Sequence, residues 1–263
     1  MAGIQEAADR IYQASQHGKP CEPVKDLLEA GGVEAAYACQ EINTKRWLDG
    51  GRRLVGRKIG LTSPAVQQQL GVDQPDYGML YADMDVPDGE EIPIDRVMQP
   101  RVEAEIAFVL GEDLDSEQLT TADVVSAVDY AVVAIEIVGS RIADWKIGIL
   151  DTIADNASSG LYVLGSQPRS LFEFDHRLCG MVLERRGEPI SVGAGAACLG
   201  SPVSSALWLA KVMARSGRPL AEGDILLTGA LGPMAAVEPG DVVEARINGL
   251  GSVRAAFASG NGG

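Results

Sequence analysis

Two apolar runs that carry acids in their middle limit what this chain can fold into. The first, Gln99-Pro100-Arg101-Val102-Glu103-Ala104-Glu105-Ile106-Ala107-Phe108-Val109-Leu110, holds Glu103 and Glu105 one residue apart. The second, Val132-Val133-Ala134-Ile135-Glu136-Ile137-Val138, holds Glu136 among β-branched neighbours. As strands, both alternate their side chains between two faces. Glu103 and Glu105 then share a face with Ala107 and Val109, while Val102, Ala104, Ile106 and Phe108 take the other. Both faces are largely apolar, which predicts a strand covered on both sides. A buried, unpaired carboxylate costs several kcal/mol or takes up a proton, and three on adjacent strands repel one another. A hard divalent cation with oxygen ligands, Mg²⁺ or Mn²⁺, would relieve both problems. The plainer alternative is a Glu-x-Glu pair on a solvated face, with Glu136 a core acid that is protonated or paired with Arg101 or Arg141.

The rest of the composition narrows the function by exclusion. At 263 residues the chain makes one large domain, or a domain with a small appendage, and can bury a core without staples. A net charge of −15 argues against nucleic acid or an anionic membrane as partner. The segment Met1-Ala2-Gly3-Ile4-Gln5-Glu6 lacks the basic and apolar regions of a signal peptide, and no 18-residue apolar run predicts a membrane span. Cys21, Cys39, Cys179 and Cys198 are scattered and read as reduced thiols of a cytoplasmic protein. Of the two histidines, His17 lies just before a Gly-Lys-Pro helix stop and His176 in a polar segment; both read as surface residues, which argues against a Ser-His-Asp triad or a histidine-rich metal site.

Apolar spacing predicts helices over 4–16, 33–48 and 121–128, the last capped by Thr120 or Thr121. Ser63-Pro64 and Ser201-Pro202 each read as a cap followed by proline at the first helical position, opening helices to about Leu70 and to Gly217. Strands are expected at 54–61, 84–86, 101–110, 130–138, 160–164, 178–185, 188–193 and 225–228. A closing hairpin is expected at 241–247 and 251–257 around Asn248-Gly249. Residues 73–78 read as loop, and 152–159 as a loop or helix end near the site. Helices do not alternate regularly with strands, so the class is α+β rather than doubly wound. The stretch Gly193-Ala194-Gly195-Ala196-Ala197-Cys198-Leu199-Gly200 fails the dinucleotide pattern, because Cys198 holds its third glycine place; close backbone approach ahead of a helix explains it better.

Several motifs in fixed order carry a resemblance. They are Gly56-Arg57-Lys58-Ile59-Gly60-Leu61-Thr62-Ser63, Pro75-Asp76-Tyr77-Gly78, Val102-Glu103-Ala104-Glu105, Ile135-Glu136-Ile137, Asp155-Asn156-Ala157-Ser158 and Leu227-Thr228-Gly229-Ala230-Leu231-Gly232-Pro233-Met234. Over roughly residues 5–258 the chain resembles the 2-keto-4-pentenoate hydratases (2-hydroxypenta-2,4-dienoate hydratases) of the fumarylacetoacetate hydrolase superfamily. The resemblance implies a mixed β-sandwich roll over residues 54–263, preceded by an N-terminal helical segment, 1–53. It implies that Glu103, Glu105 and Glu136 hold Mg²⁺ or Mn²⁺, and that Lys58, Asp76, Asn156 and Ser158 line the substrate pocket. It also implies a homo-oligomer, in such relatives often a decamer of two pentamers.

The implied chemistry is ketonisation of a 2-hydroxydienoate with protonation at C5, then addition of water at C4, in meta-cleavage degradation of aromatic compounds. Lys58 would hold carboxylate or enolate charge, Asp76 would move a proton, and Ser158 and Asn156 would donate hydrogen bonds to the substrate. Without the resemblance, Lys58 reads as an exposed strand lysine and Asp76 as a turn aspartate. The rival activities are decarboxylation of a 4-oxalocrotonate-type diacid and C–C hydrolysis of an acylpyruvate. No histidine stands between Ser63 and Leu70 to activate water, which counts against hydrolysis. A non-catalytic partner subunit is the reading from another class.

Overall fold

Helical and strand periodicity sort the chain into an N-terminal helical layer and two sheets. The computed structural model describes residues 2–63, 67–68, 72 and 74–259. The helical layer comprises α1 (Ala2–His17), α2 (Lys25–Leu28) and α3 (Gly32–Asp49). α1 buries Ala7, Ala8, Ile11 and Ala14, the stripe its spacing predicts. The short α2 has no periodicity of its own and was not foreseen. Its first turn is held from a distance, since the Asp151 carboxylate accepts from the backbone N–H groups of Val24 (2.7 Å) and Lys25 (2.9 Å).

The main sheet contains β1 (Leu54–Gly60), β2 (Asp76–Tyr81), β3 (Asp85–Val86), β5 (Arg101–Leu110), β6 (Val128–Val138), β7 (Leu161–Leu164) and β10 (Ile225–Ala230). Its order is β2-β1-β10-β5-β6-β7-β3, with the short β11 (Ala235–Ala236) beside the start of β5. The second sheet runs β4-β13-β12-β8-β9, from β4 (Glu91–Ile92), β8 (Gly180–Arg185), β9 (Glu188–Ala194), β12 (Val242–Ile247) and β13 (Gly251–Phe257). β12 and β13 lie against β6 of the main sheet. One large core lies between the sheets; a smaller one joins α1, α2 and α3 to Ile142, Ile153 and Ala154. The α+β class and the mixed, two-sheet roll with N-terminal helices are therefore as expected.

Three further helices follow. α4 (Thr121–Ala127) starts at a Thr120 capping box in which the Asp123 carboxylate accepts from Thr120 N–H. α5 (Ile149–Ala154) and the turn Asn156–Ser158 occupy the segment read as a loop or helix end. α6 (Pro202–Arg215) buries Val203, Ala206, Leu209, Ala210 and Met213, so the apolar stretch around it is a core helix.

One expectation is corrected and one boundary moves. Asp76, Tyr77 and Gly78 are strand rather than loop, because antiparallel pairing with β1 continues through Gly60↔Asp76 and local turn chemistry yields to it. The strand expected at 84–86 is present as the two-residue β3, shortened at its start because Met84 closes a 3₁₀ turn, Ala82–Met84. The helix expected from Ser63 to Leu70 falls largely outside the described residues. The glycines at 193 and 195 serve close approach: a Cβ there would stand 1.7 Å from Leu231 O and 1.9 Å from His176 O.

Gly56 has the same role within the strand that carries Lys58. It pairs with Ile225 in the parallel β1–β10 ladder, and a Cβ would meet Ile225 O at 2.0 Å. Gly56→Ala is expected to lose about 1–3 kcal/mol of stability by forcing the ladder apart, read as a lower midpoint in urea.

Candidate metal and active site

Register brings the three acids together. In the antiparallel β5–β6 ladder Glu103 pairs directly with Glu136, and Glu105 pairs with Ala134, so all three carboxylates stand on one sheet face. Each offers an oxygen within 4.8 Å of the others'. Glu105 and Glu136 are fully buried and Glu103 is half-buried.

The same face carries Lys58. Register runs from Lys58 to Leu227 on β10, and from Leu227 to Ala107 on β5, the alternation position of Glu103 and Glu105. Lys58 is buried, not the exposed lysine that alternation alone suggests. Its Nζ stands 3.2 Å from Glu136 Oε2, an ion pair, and donates to Ala157 O at 3.0 Å. Glu136 therefore faces Lys58 and neither candidate arginine; Arg141 pairs with Asp155, and Arg101 stacks on Trp145. β10 bulges after Leu227 and supplies Gly229 N–H to Glu105 Oε2 at 2.8 Å.

Asp76 opens β2 opposite Gly60. A Cβ on Gly60 would lie 2.2 Å from Asp76 Oδ1 and 3.4 Å from Lys58 Nζ, so glycine there lets the two charged groups stand side by side. Thr152 Oγ1 donates to Asp76 Oδ2 at 3.2 Å, while Oδ1 is buried without a hydrogen-bond partner. Ser158 Oγ is also buried and unpartnered. Asn156 behaves otherwise: Oδ1 accepts from Met79 N–H (2.7 Å) and Nδ2 donates to Met79 O (3.0 Å). Its amide pins the turn to β2 and leaves one Nδ2 hydrogen for the expected donation to substrate. Asn156, Ala157 and Ser158 are all left-handed, with φ of 54°, 51° and 56°. Such a conformation costs roughly 1–2 kcal/mol per residue for non-glycine residues, less for asparagine.

Sequence reasoning missed Thr152, Gly229 and the Ala157 carbonyl. Each acts through a contact 70 or more residues away in sequence, or through backbone atoms that no residue type announces. His17 is exposed as expected, whereas His176 is half-buried with Nδ1 3.3 Å from Ser201 Oγ.

Electrostatics strain this cluster. Burial pushes Glu105 well above the usual carboxylate range, and Glu136 and Glu103 push it further. Burial also raises Glu136, to about 7, against the pull of Lys58, and raises Glu103 and Asp76 in the same way. Burial disfavours the Lys58 ammonium, but Glu136, Asp76, Glu103 and Glu105 together outweigh it and hold the group charged. Glu105 Oε1 and Glu136 Oε1 lack a hydrogen-bond donor, and Glu136 Oε2 has only the Lys58 ammonium. Three acids with oxygens to spare and no soft donor among them suit a hard divalent cation.

Residues 56–258 match the fumarylacetoacetate (FAA) hydrolase C-terminal family. The chain belongs to the fumarylacetoacetate hydrolase family. Among curated members it is similar to a "TodF product hydratase" of Pseudomonas putida, 64% identical over 97% of this chain and 95% of that one. It is 60% identical, over the same shares, to a 2-keto-4-pentenoate hydratase of Paraburkholderia xenovorans. Among solved structures it is similar to 4-oxalocrotonate decarboxylase from Pseudomonas putida G7 complexed with magnesium and adipate. That likeness has a TM-score of 0.92 and 35% identity over 97% of both chains.

The raised carboxylates make stability depend on pH. An acid whose folded-state pKa lies above its unfolded value holds its proton more tightly when folded, so stability falls as pH rises between the two values. For Glu136 that window runs from 4.5 to about 7. Chelator-treated protein is expected to melt lower at pH 8 than at pH 5. Added Mg²⁺ or Mn²⁺ is expected to raise the melting temperature more at pH 8; an equal rise at both would contradict carboxylate ligation.

Proposed function

We propose that the chain adds water to 2-hydroxypenta-2,4-dienoate (2-keto-4-pentenoate), or a substituted homologue, to give a 4-hydroxy-2-keto acid in aromatic catabolism. The chain is a hydro-lyase, as its full-length likeness to hydratases at 60–64% identity supports. The observation that carries the reading is the buried Glu103–Glu105–Glu136 triad with Lys58 against it. The cofactor is a divalent metal ion, and Mg²⁺ or Mn²⁺ held by these three acids is the finer assignment. A bound ion would draw negative charge onto the C1 carboxylate and C2 oxygen of the substrate and so favour the dienolate.

The chain's own groups do the rest. Lys58, held charged by its neighbours, balances the charge of the carboxylate or enolate. Asp76 carries a carboxyl raised by burial, with Oδ1 free, which suits a group that gives and takes a proton. It serves protonation at C5, after which water adds at C4. Ser158 Oγ has no internal partner and donates to the substrate. The four cysteines are free, in keeping with a cytoplasmic enzyme, and we place it in a homo-oligomer, with a decamer the size to test first.

Decarboxylation of a 2-keto diacid is the second reading, favoured by the 35% identity to 4-oxalocrotonate decarboxylase over the whole fold. Identity nearly twice as high to the hydratases outweighs it. A non-catalytic partner role is disfavoured because no member of the proposed ligand set is missing.

The test follows the ultraviolet absorbance of freshly generated 2-hydroxypenta-2,4-dienoate with chelator-treated protein before and after Mg²⁺ or Mn²⁺, with products weighed by mass spectrometry. Metal-dependent loss of the dienol with gain of one water is the expected result; evolution of CO₂ from the diacid instead would favour the decarboxylase. Glu136→Gln is expected to lower metal-dependent turnover by more than the roughly 10–100-fold that follows loss of an outer-sphere partner, with an unchanged circular dichroism spectrum. Undiminished turnover would refute the ligand assignment.

A further inference from the structure

We infer that Arg141 and Asp155 are positioning residues that hold the Asn156-Ala157-Ser158 turn in a strained shape so that the Ala157 carbonyl fixes Lys58. The inference rests on the reading of Lys58 as an active-site group. Lys58 Nζ has two recorded anchors, Glu136 Oε2 at 3.2 Å and Ala157 O at 3.0 Å. The first is shared with the metal site proposed above. The second sets where the ammonium sits, and it is a backbone atom of a turn whose three residues are all left-handed without a glycine.

Such a turn relaxes unless its surroundings over-determine it. Here they do. Arg141 Nη1 donates to Ser159 O at 2.7 Å, its Nε and Nη2 donate to the Asp155 carboxylate and Asp155 O, and its backbone N–H donates to Asp155 Oδ2 at 2.9 Å. The fork of one guanidinium thus brackets the turn on both sides, a fit a lysine cannot reproduce. Asn156 adds the two bonds to Met79, and Ser159 Oγ closes the turn on Asn156 O at 2.7 Å. Asp155 is fully buried and Arg141 nearly so, which is more than a surface turn needs.

Behind the turn lies a cavity of about 290 Å³, lined by Arg141, Asp155, Asn156 and Ser159 together with residues of α1 and α3. It includes none of the triad, nor Lys58 or Asp76. Truncating Arg141 would therefore open a hole continuous with a space large enough for a small cation.

The experiment has three arms. Ala157→Gly frees the φ of 51° from its Cβ. It is expected to raise the melting temperature of metal-free protein by about 2 °C or more while lowering kcat at least fivefold. Arg141→Lys is expected to lower kcat tenfold or more, with KM changed less than twofold and Mn²⁺ affinity unchanged. Arg141→Ala is expected to lose activity in the same way and to regain it with millimolar methylguanidinium but not with methylammonium. A lower melting temperature for Ala157→Gly would overturn the strained turn whatever the substrate proves to be. Full activity in Ala157→Gly or Arg141→Lys would overturn the positioning role. Wild-type protein that binds Mn²⁺ but does not hydrate the dienol would instead fail the hydratase reading, leaving the melting result to judge the turn.

Discussion

The structure depends on keeping three carboxylates out of water and close together. Glu105 and Glu136 are buried, Glu103 is half-buried, and Glu103 raises the proton affinity of both others while Glu136 raises that of Glu105. Burying like charges is unfavourable by itself, so positive charge has to be brought to that face. Lys58 supplies one such charge, and a divalent cation is the natural source of the remainder. The scaffold is arranged around this need: β10 is inserted between the strand of Lys58 and the strand of the acids, and it bulges to offer Gly229 N–H to Glu105.

Close approach is the second theme. Gly56 lets β10 lie against β1, and Gly60 leaves room for Asp76 beside Lys58. Gly78 admits the Asn156 carbonyl, since a Cβ there would stand 2.2 Å from it. These glycines lie on β1 and β2. Gln40 of α3 donates to Tyr77 O and Ile153 O, so the N-terminal helices brace the strand of Asp76 and the helix of Thr152.

Much of the fold was legible because its signals are local. The strand at 101–110 matches its prediction residue for residue, since alternation and β-branching are written along it. The closing hairpin and the helix after Ser201-Pro202 were legible from turn and cap chemistry. The start of β2 was not, because Asp76-Tyr77-Gly78 carries turn residues and becomes strand only by pairing with β1. α2 was invisible because its first turn is held by Asp151, far along the chain.

For the site, the residue types alone pointed to oxygen ligands and a hard cation, since Glu103, Glu105 and Glu136 sit where a solitary acid is expensive to bury. The family motifs added Lys58, Asp76 and Ser158 to that set. Tertiary structure decided the rest. It paired Glu103 with Glu136, chose Lys58 over Arg101 and Arg141 as the counter-charge, and tied the Asn156 amide to Met79. The reason is physical: a residue type states what a side chain can do, whereas register and burial, which depend on partners distant in sequence, determine which partner it meets.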